Sequence, residues 1–362
     1  MKRMVSGIKP TGKLTLGNYI GAIRNFVNYQ DEYEMIVFVA NLHALTVDIE
    51  PAELRKNTND LVALYLACGL DPNKVTIFVQ SDVLEHSTLG FLLTCKTYMG
   101  ELSRMTQYKD KASKESNIGA GIFTYPTLMA ADILLYQADV VPVGVDQKQH
   151  LELTRDIAER FNSIYGDVFT IPEIYLGKLG RKIMSLQDPS KKMSKSDENP
   201  NGSIYLMDDK DTIIRKFKRA VTDSEACVRY SDDQPGIKNL IDIYCACKSI
   251  PTEDVEKEFD GKGYGDFKVA VGEAVAAELI PLQERFHELE KNKDFVDHII
   301  KENAEQASYF ANKTLRKVQK KVGFPERIRW SSGLRLIRIT NTRFSDTLLR
   351  IVFEPGVFIS TL

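Results

Sequence analysis

Lys192, Met193, Ser194, Lys195 and Ser196 set two ammonium groups three residues apart, with hydroxyl side chains between and after them. Such a loop can neutralise charge growing on a polyphosphate as its α-phosphorus is attacked, an effect worth most where water is excluded. The whole pentamer, KMSKS, arises by chance in about one of several thousand chains of this size. A second phosphate-type signal lies near the start. Gly7, Gly12 and Lys13 have the G-x-x-x-x-G-K spacing of a P-loop, whose next residue must be Ser or Thr to hold magnesium. Here it is Leu14, which ligates nothing, and the apolar run Met35 to Ala40 ends in Asn41 where a metal-holding Asp is wanted. Gly7 to Asn18, GIKPTGKLTLGN, reads better as one unit. It is a glycine-rich turn entering a helix near Gly17 or Asn18, and it offers that helix N-terminus to an anion.

The elements that must position these groups follow from the apolar pattern. In the first half, short apolar runs alternate with amphipathic segments, as in βαβ units around a parallel sheet. Strands are expected at Arg3 to Ser6, Met35 to Ala40, Val75 to Gln80 and Val140 to Val143. Tyr19, Ile20, Ile23, Phe26 and Val27 share one helical stripe, as do Leu54, Leu61, Leu64, Tyr65 and Cys68. Pro51 opens the second of these helices and Gly69 closes it. The loops Gly7 to Gly12, Asn41 to His43, Gln80 to Asp82 and Gly144 to Gln147 each follow an apolar strand, so one edge of the sheet should collect the chemistry. Asp132 sits among Met129, Ala130, Ala131, Ile133 and Leu134, a neighbourhood too apolar for a solvent-facing acid. After about Asn201 the strand-like runs give way to long helical patterns, and a second, helical domain is expected there.

At 362 residues the chain can bury a full core and suits a large and a smaller domain. No stretch approaches the roughly 18 consecutive apolar residues of a membrane span, and the N-terminus lacks a signal-peptide pattern, so a soluble cytoplasmic protein is expected. The five cysteines are few and irregularly spaced, which favours buried reduced thiols over disulfides or a metal cluster. A net charge of −2 gives no general pull towards polyanions. Local basic clusters exist at Arg215, Lys216, Lys218 and Arg219 and at Arg316, Lys317, Lys320 and Lys321, although such clusters are more often solvated helix faces. Pro325 to Leu362 differs from the rest. Its basic residues are all Arg in a chain otherwise rich in Lys, and it holds the only tryptophan, Trp330.

With the two loop signatures in this order, the chain resembles the class I aminoacyl-tRNA synthetases in their tryptophanyl form. TLGN, Thr15 to Asn18, stands in for the histidine-bearing quartet of the first class I signature, and KMSKS is the second. The likeness runs from about Arg3 to Phe324. Five blocks make it specific: GELSRMTQYKDK (Gly100 to Lys111), TYPTLMAADILLY (Thr124 to Tyr136), VPVGVDQKQHLELTRD (Val141 to Asp156), AVTDSE (Ala220 to Glu225) and GKGYGDFK (Gly261 to Lys268). Tyrosyl-tRNA synthetases share the fold and the loop type but do not resemble these blocks.

The resemblance implies an α/β fold: a Rossmann-like, doubly wound parallel sheet with a smaller all-helical domain. The expected divisions are a catalytic domain over 1–190, the KMSKS loop over 191–200, a helical anticodon-binding domain over 201–290, a helix over 291–324 packing back on the catalytic domain, and an atypical tail over 325–362 outside the fold. The implied reaction joins L-tryptophan to ATP, giving tryptophanyl-AMP and pyrophosphate, and then passes tryptophan to the 3′-terminal adenosine of tRNA(Trp). A homodimer is implied, with one tRNA crossing both subunits, and neither DNA nor a membrane as partner.

By the same resemblance, Asp132 accepts the indole N–H, Met129 packs on the ring from the same helix face, and Val143 and His43 complete the tryptophan pocket. Tyr125 and Gln147 face the substrate ammonium, and Gly144 and Asp146 face the ATP ribose. Lys111, Lys192 and Lys195 clamp the triphosphate with Ser194, Thr15 and Asn18 beside them. Lys9, Thr11, Gly17, Ile183 and Met193 complete the ATP site. Mg2+ is carried by the ATP phosphates rather than by protein ligands. Asn41 and Val145 depart from acids common in the family, and Lys9 and Lys182 from its usual Gln and Arg. The rival readings are a tyrosyl-tRNA synthetase, which would exchange pyrophosphate in the presence of tyrosine, a P-loop hydrolase, which would need no amino acid, and a tRNA-binding regulator that forms no adenylate.

Overall fold

The computed structural model describes residues 1–113, 117–144, 147–175, 182–195, 197 and 199–325. The chain divides into two compact units, Met1–Lys317 and Val318–Leu362, and the architecture below is that of the first. Its centre is one parallel sheet of β1 (Arg3–Ile8), β2 (Glu34–Val39), β3 (Val75–Val79), β4 (Val140–Pro142) and β5 (Glu173–Tyr175), in the order β3-β2-β1-β4-β5. β1 pairs in register with β2 on one side, Met4 opposite Met35, and with β4 on the other, Met4 opposite Val140. All of β3 and all but the first residue of β2 are buried, because helices cover both faces and leave no solvent side to a strand. The strand order reverses between β1 and β4, so the loops after these two strands open a crevice at the carboxyl edge.

Helices follow the strands in the doubly wound manner. After β1 comes a continuous helical run over 16–29, built as Leu16–Asn18, a π-turn at Tyr19–Ile23, and Arg24–Tyr29. The expected apolar stripe buries Tyr19, Ile20, Ile23 and Phe26. After β2, Pro51–Ala67 starts with Pro51 in its first turn and is followed by Gly69 at φ +105°, in the left-handed conformation that ends a helix. Glu85–Thr94, Ala120–Leu134 and Lys148–Tyr165 complete the sheet layers.

Beyond residue 201 no named strand occurs among the described residues, and the main helices are Lys210–Lys218, Pro235–Lys248, Thr252–Glu258, Tyr264–Lys291 and Lys293–Lys321. One apolar cluster runs from Met4, Ile23 and Val37 of the sheet layer through Ile213, Phe217, Leu240 and Phe267 to Phe286, so sheet and helices share a core. The last helix reaches back to the sheet: Asn303 Oδ1 accepts the Ile77 N–H of the edge strand β3 at 3.1 Å, and the Arg3 guanidinium lies 4.9 Å from the Phe310 ring centre. That side-chain contact satisfies an edge donor that no further strand could take.

Three expectations change in detail. β5 was not foreseen, since three residues at a half-exposed edge leave too short a pattern to read. Cys68 and Cys245 are buried, but Cys95 and Cys227 are exposed, so the buried-thiol reading holds only in part. Lys216 is not an available member of a basic patch. It is buried, its ammonium donating to Asp208 Oδ2 at 2.7 Å and to the Ser203 carbonyl at 2.9 Å, whereas Arg215, Lys218 and Arg219 are exposed. The atypical tail from residue 326 onwards lies outside the described residues.

Candidate active site

Two of the loops singled out by the sequence meet around Asp132. The Ala120–Leu134 helix carries this acid, the turn Asn41–Ala44 after β2 carries His43, the turn Gln80–Asp82 after β3 carries Gln80, and Glu85–Thr94 carries His86. Asp132 is 2% exposed. Its Oδ2 lies 2.6 Å from His43 Nε2, while Oδ1 lies 2.6 Å from His86 Nδ1 and accepts from Gln80 Nε2 at 2.7 Å. A buried carboxylate is an acceptor with nothing to give, so it persists only where donors surround it. Burial pushes the Asp132 carboxyl up, but electrostatic attraction and a hydrogen bond from His43, and after them the hydrogen bond from His86, outweigh it and hold the acid down to about 2. It is therefore an ionised acceptor at neutral pH. Met129 is half-buried one turn earlier on the same helix, and Val143 is buried just past β4.

A cluster of lysines gathers on the other side of His43. Lys111 Nζ donates to the Thr46 carbonyl at 3.3 Å, and Thr46 Oγ1 donates to the His43 carbonyl at 2.8 Å, so a continuous set of contacts joins Lys111 to Asp132. Lys9 keeps some contact with solvent, yet it sits in a low-dielectric surround. Burial lowers its affinity for a proton, and the charge of Lys111 lowers it further. Lys195 donates to the Thr11 carbonyl at 2.9 Å, and burial followed by the charge of Lys9 holds its ammonium down to about 8. Lys9 is thus close enough to Lys111 and to Lys195 for their charges to repel, an arrangement that an anion among them would relieve.

The KMSKS segment is fastened to the first signature. The Met193 N–H donates to the Ile183 carbonyl at 3.0 Å, Lys192 bridges to Met184, and Ser203 Oγ donates to the Ser194 carbonyl at 2.7 Å. Lys192 itself is exposed. Gly12 has φ +66°, a backbone conformation that glycine takes without strain, and the Lys195 chain packs beside it, 3.8 Å from where a Cβ would stand. Gly17 lies against Met193, its ideal Cβ 3.5 Å from the Met193 Cβ. Thr15 and Asn18 cap each other: the Thr15 N–H donates to Asn18 Oδ1 at 3.0 Å, and the Asn18 N–H reaches Thr15 Oγ1 at 3.4 Å. Their visible task is to fix the start of the helix.

Tyr125 donates its hydroxyl hydrogen to Gln107 Oε1 at 2.7 Å and also meets His150 Nε2, while the Gln147 N–H donates to the Gly144 carbonyl at 2.9 Å. Val145, Asp146 and Ser196 lie outside the described residues. Gln80, His86, Gln107 and His150 were not among the expected site residues. A signal was present for all but His86: Gln80 lies in a loop already marked by its place after a strand, and Gln107 and His150 lie in blocks that carried the resemblance. Among the described residues, no three His, Cys, Asp or Glu side chains gather to hold a metal ion.

A parallel sheet with a lysine cluster and a fastened cationic loop at its carboxyl edge is the apparatus of a class that activates carboxylates with nucleotides. The family model described as tRNA synthetases class I (W and Y) matches residues 1–279, and the chain belongs to that family. Within it, the chain's relatives are of the tryptophanyl kind. It is 57% identical over 323 residues to the tryptophan–tRNA ligase of Clostridium perfringens, covering 89% of this chain and 97% of the relative. Among solved structures it is similar to the tryptophanyl-tRNA synthetase of Mycoplasma pneumoniae, with TM-score 0.83 and 41% identity over 90% of this chain and 98% of that one. It is also similar to the Campylobacter jejuni enzyme complexed with ADP and tryptophan, with TM-score 0.76 and 32% identity over 89% and 100%.

Proposed function

We propose that this chain is a tryptophan–tRNA ligase working in two steps. The tryptophan carboxylate attacks the α-phosphorus of ATP, the α–β bridging bond breaks, and pyrophosphate leaves. A ribose hydroxyl of the terminal adenosine of tRNA(Trp) then attacks the acyl carbon of tryptophanyl-AMP and releases AMP. No side chain has to become covalently attached, so catalysis consists of positioning and charge stabilisation. Lys9, Lys111 and Lys195, with Lys192 arriving on the same loop, supply positive charge to the polyphosphate, and Thr11, Gly17, Asn18, Ile183, Met193, Gly144 and Asp146 complete the nucleotide site. Mg2+ would be carried in on the ATP phosphates and would add positive charge there. Asp132 takes the indole N–H, Met129, Val143 and His43 enclose the ring, and Tyr125 and Gln147 orient the ammonium end.

The observation that carries this reading is the unbroken line of contacts from Lys111 through Thr46 and His43 to Asp132, which joins a polyphosphate-suited cluster to an ionised acceptor in an apolar setting. A site built around such an acceptor leaves it unpaired when the substrate lacks a donor, and so rejects phenylalanine strongly. Asp132→Asn should lower kcat/KM for tryptophan by about a hundredfold or more while the thermal transition is retained. Unchanged kinetics in that variant would remove Asp132 from the site.

The wider reading includes a catalytic part over 1–190, an anticodon-binding part over 201–290 whose exposed Arg215, Lys218 and Arg219 suit a phosphate backbone, and a homodimer. The dimer is supported by Leu84, Phe91, Tyr98 and Met99, large apolar side chains that are 75%, 69%, 63% and 72% exposed on consecutive elements. No helix among the described residues is long and apolar enough to cross a membrane.

A further inference from the structure

The two carboxylate oxygens of Asp132 are not equivalent. Oδ1 receives two donors from residues that are 0% exposed, Gln80 and His86. Among the described residues Oδ2 meets only His43, and His43, at 8% exposed, is the more open neighbour. Each inner donor is fixed from behind. Gln80 Oε1 accepts the N–H of half-buried Leu42 at 3.1 Å, so the amide cannot flip without losing that bond and turning its oxygen on the acid, and its NH2 must face Asp132. His86 Nε2 lies 2.7 Å from the Tyr136 hydroxyl, and Tyr136 is 0% exposed. Burial, with the charge of Asp132 behind it, keeps that hydroxyl protonated. Its hydrogen has His86 Nε2 as acceptor, and this leaves Nδ1 as the nitrogen that carries hydrogen towards Oδ1.

We propose that Tyr136, His86 and Gln80 are positioning residues for amino-acid choice: by saturating Oδ1 they turn the remaining acceptor capacity of Oδ2 towards the substrate, so that tryptophan is preferred over rings of the same shape without an N–H. The proposal rests on the reading of Asp132 as the indole acceptor and adds the means by which that acceptor is aimed. When the Tyr136 hydroxyl is removed, His86 Nε2 is left buried without its partner; the ring shifts to find another, the donor it presents to Oδ1 moves with it, and the aim of Oδ2 is lost.

The test compares kcat/KM for adenylate-dependent ATP–pyrophosphate exchange with tryptophan and with 3-benzothienylalanine, in which sulfur replaces the ring N–H. Tyr136→Phe should lower the tryptophan value about tenfold, chiefly through KM, and leave the sulfur analogue within about twofold, so that the preference shrinks. The analogue reports folding in the same assay. His86→Asn, which can restore a donor near the Nδ1 position, should keep more of the preference than His86→Ala, and this pair decides the matter if Tyr136→Phe does not fold. Equal loss on both substrates, or an unaltered preference in Tyr136→Phe and His86→Ala, would overturn the proposal provided that Asp132→Asn still abolishes the preference. A preference unaltered in Asp132→Asn would overturn the acceptor reading itself, and the aiming device with it.

Discussion

Lys195 donates to the Thr11 carbonyl while burial, and then the charge of Lys9, hold its ammonium down to about 8. The direction of the resulting pH effect follows from the sign of that shift. A polyanion beside Lys195 favours the charged form, so binding raises the depressed value and takes up a proton when the pH lies above it. ATP affinity should therefore be full below pH 8 and fall as the pH rises through about 8. Lys195→Arg, whose guanidinium stays charged, should flatten this part of the profile. KM for ATP measured between pH 6.5 and 9.5 at saturating tryptophan, as an assay range of roughly three units, checks it. A wild-type profile as flat as that of the Arg variant would mean that Lys195 is charged throughout. At this scale the sequence was informative wherever a residue type and its spacing announced chemistry, as in KMSKS and the acid in an apolar helix. It was silent on His86, and although Tyr136 and Gln107 stand in blocks that carried the resemblance, their roles act through a neighbour and acquire meaning only when separate elements converge.

Elements place these side chains, and β1 with its following turn does most to set the nucleotide end. Gly7, the fifth residue of that strand, has its ideal Cβ position 2.6 Å from the Phe38 ring of β2, and Phe38 is 4% exposed with no room to retreat. Gly7→Ala must push β1 and β2 apart just where the loop with Lys9 and Gly12 begins. Urea unfolding should show a loss of about 1–3 kcal/mol, accompanied by a rise in KM for ATP larger than that for tryptophan. A variant of wild-type stability and unchanged KM for ATP would mean that the turn is positioned from elsewhere. β2 and β3 were legible because strands buried on both faces read as continuous apolar runs, and Pro51 and Gly69 marked a helix by backbone chemistry alone. The π-turn at Tyr19–Ile23 was not legible, because it keeps the same apolar stripe as an ordinary helix and differs only in which carbonyl each N–H finds. β5 left no readable pattern at all.

For the molecule as a whole, composition excluded little, and a net charge of −2 gave no hint of a nucleic-acid partner. Function became readable through two loop signatures in the right order and an acid between them. The exposed apolar residues Leu84, Phe91 and Met99 extend the account to assembly: light scattering should give about twice the chain mass of 41.0 kDa. Phe91→Glu combined with Leu84→Glu should shift the species towards one chain, and a wild-type monomer at all concentrations would refute the dimer. The central claim is that the lysine cluster and Asp132 together serve one substrate. Exchange of labelled pyrophosphate into ATP, run with each standard amino acid in turn, tests it most directly. Tryptophan should support exchange, and tyrosine and phenylalanine should remain at background. Exchange driven by tyrosine, or ATP turnover indifferent to any amino acid, would contradict it.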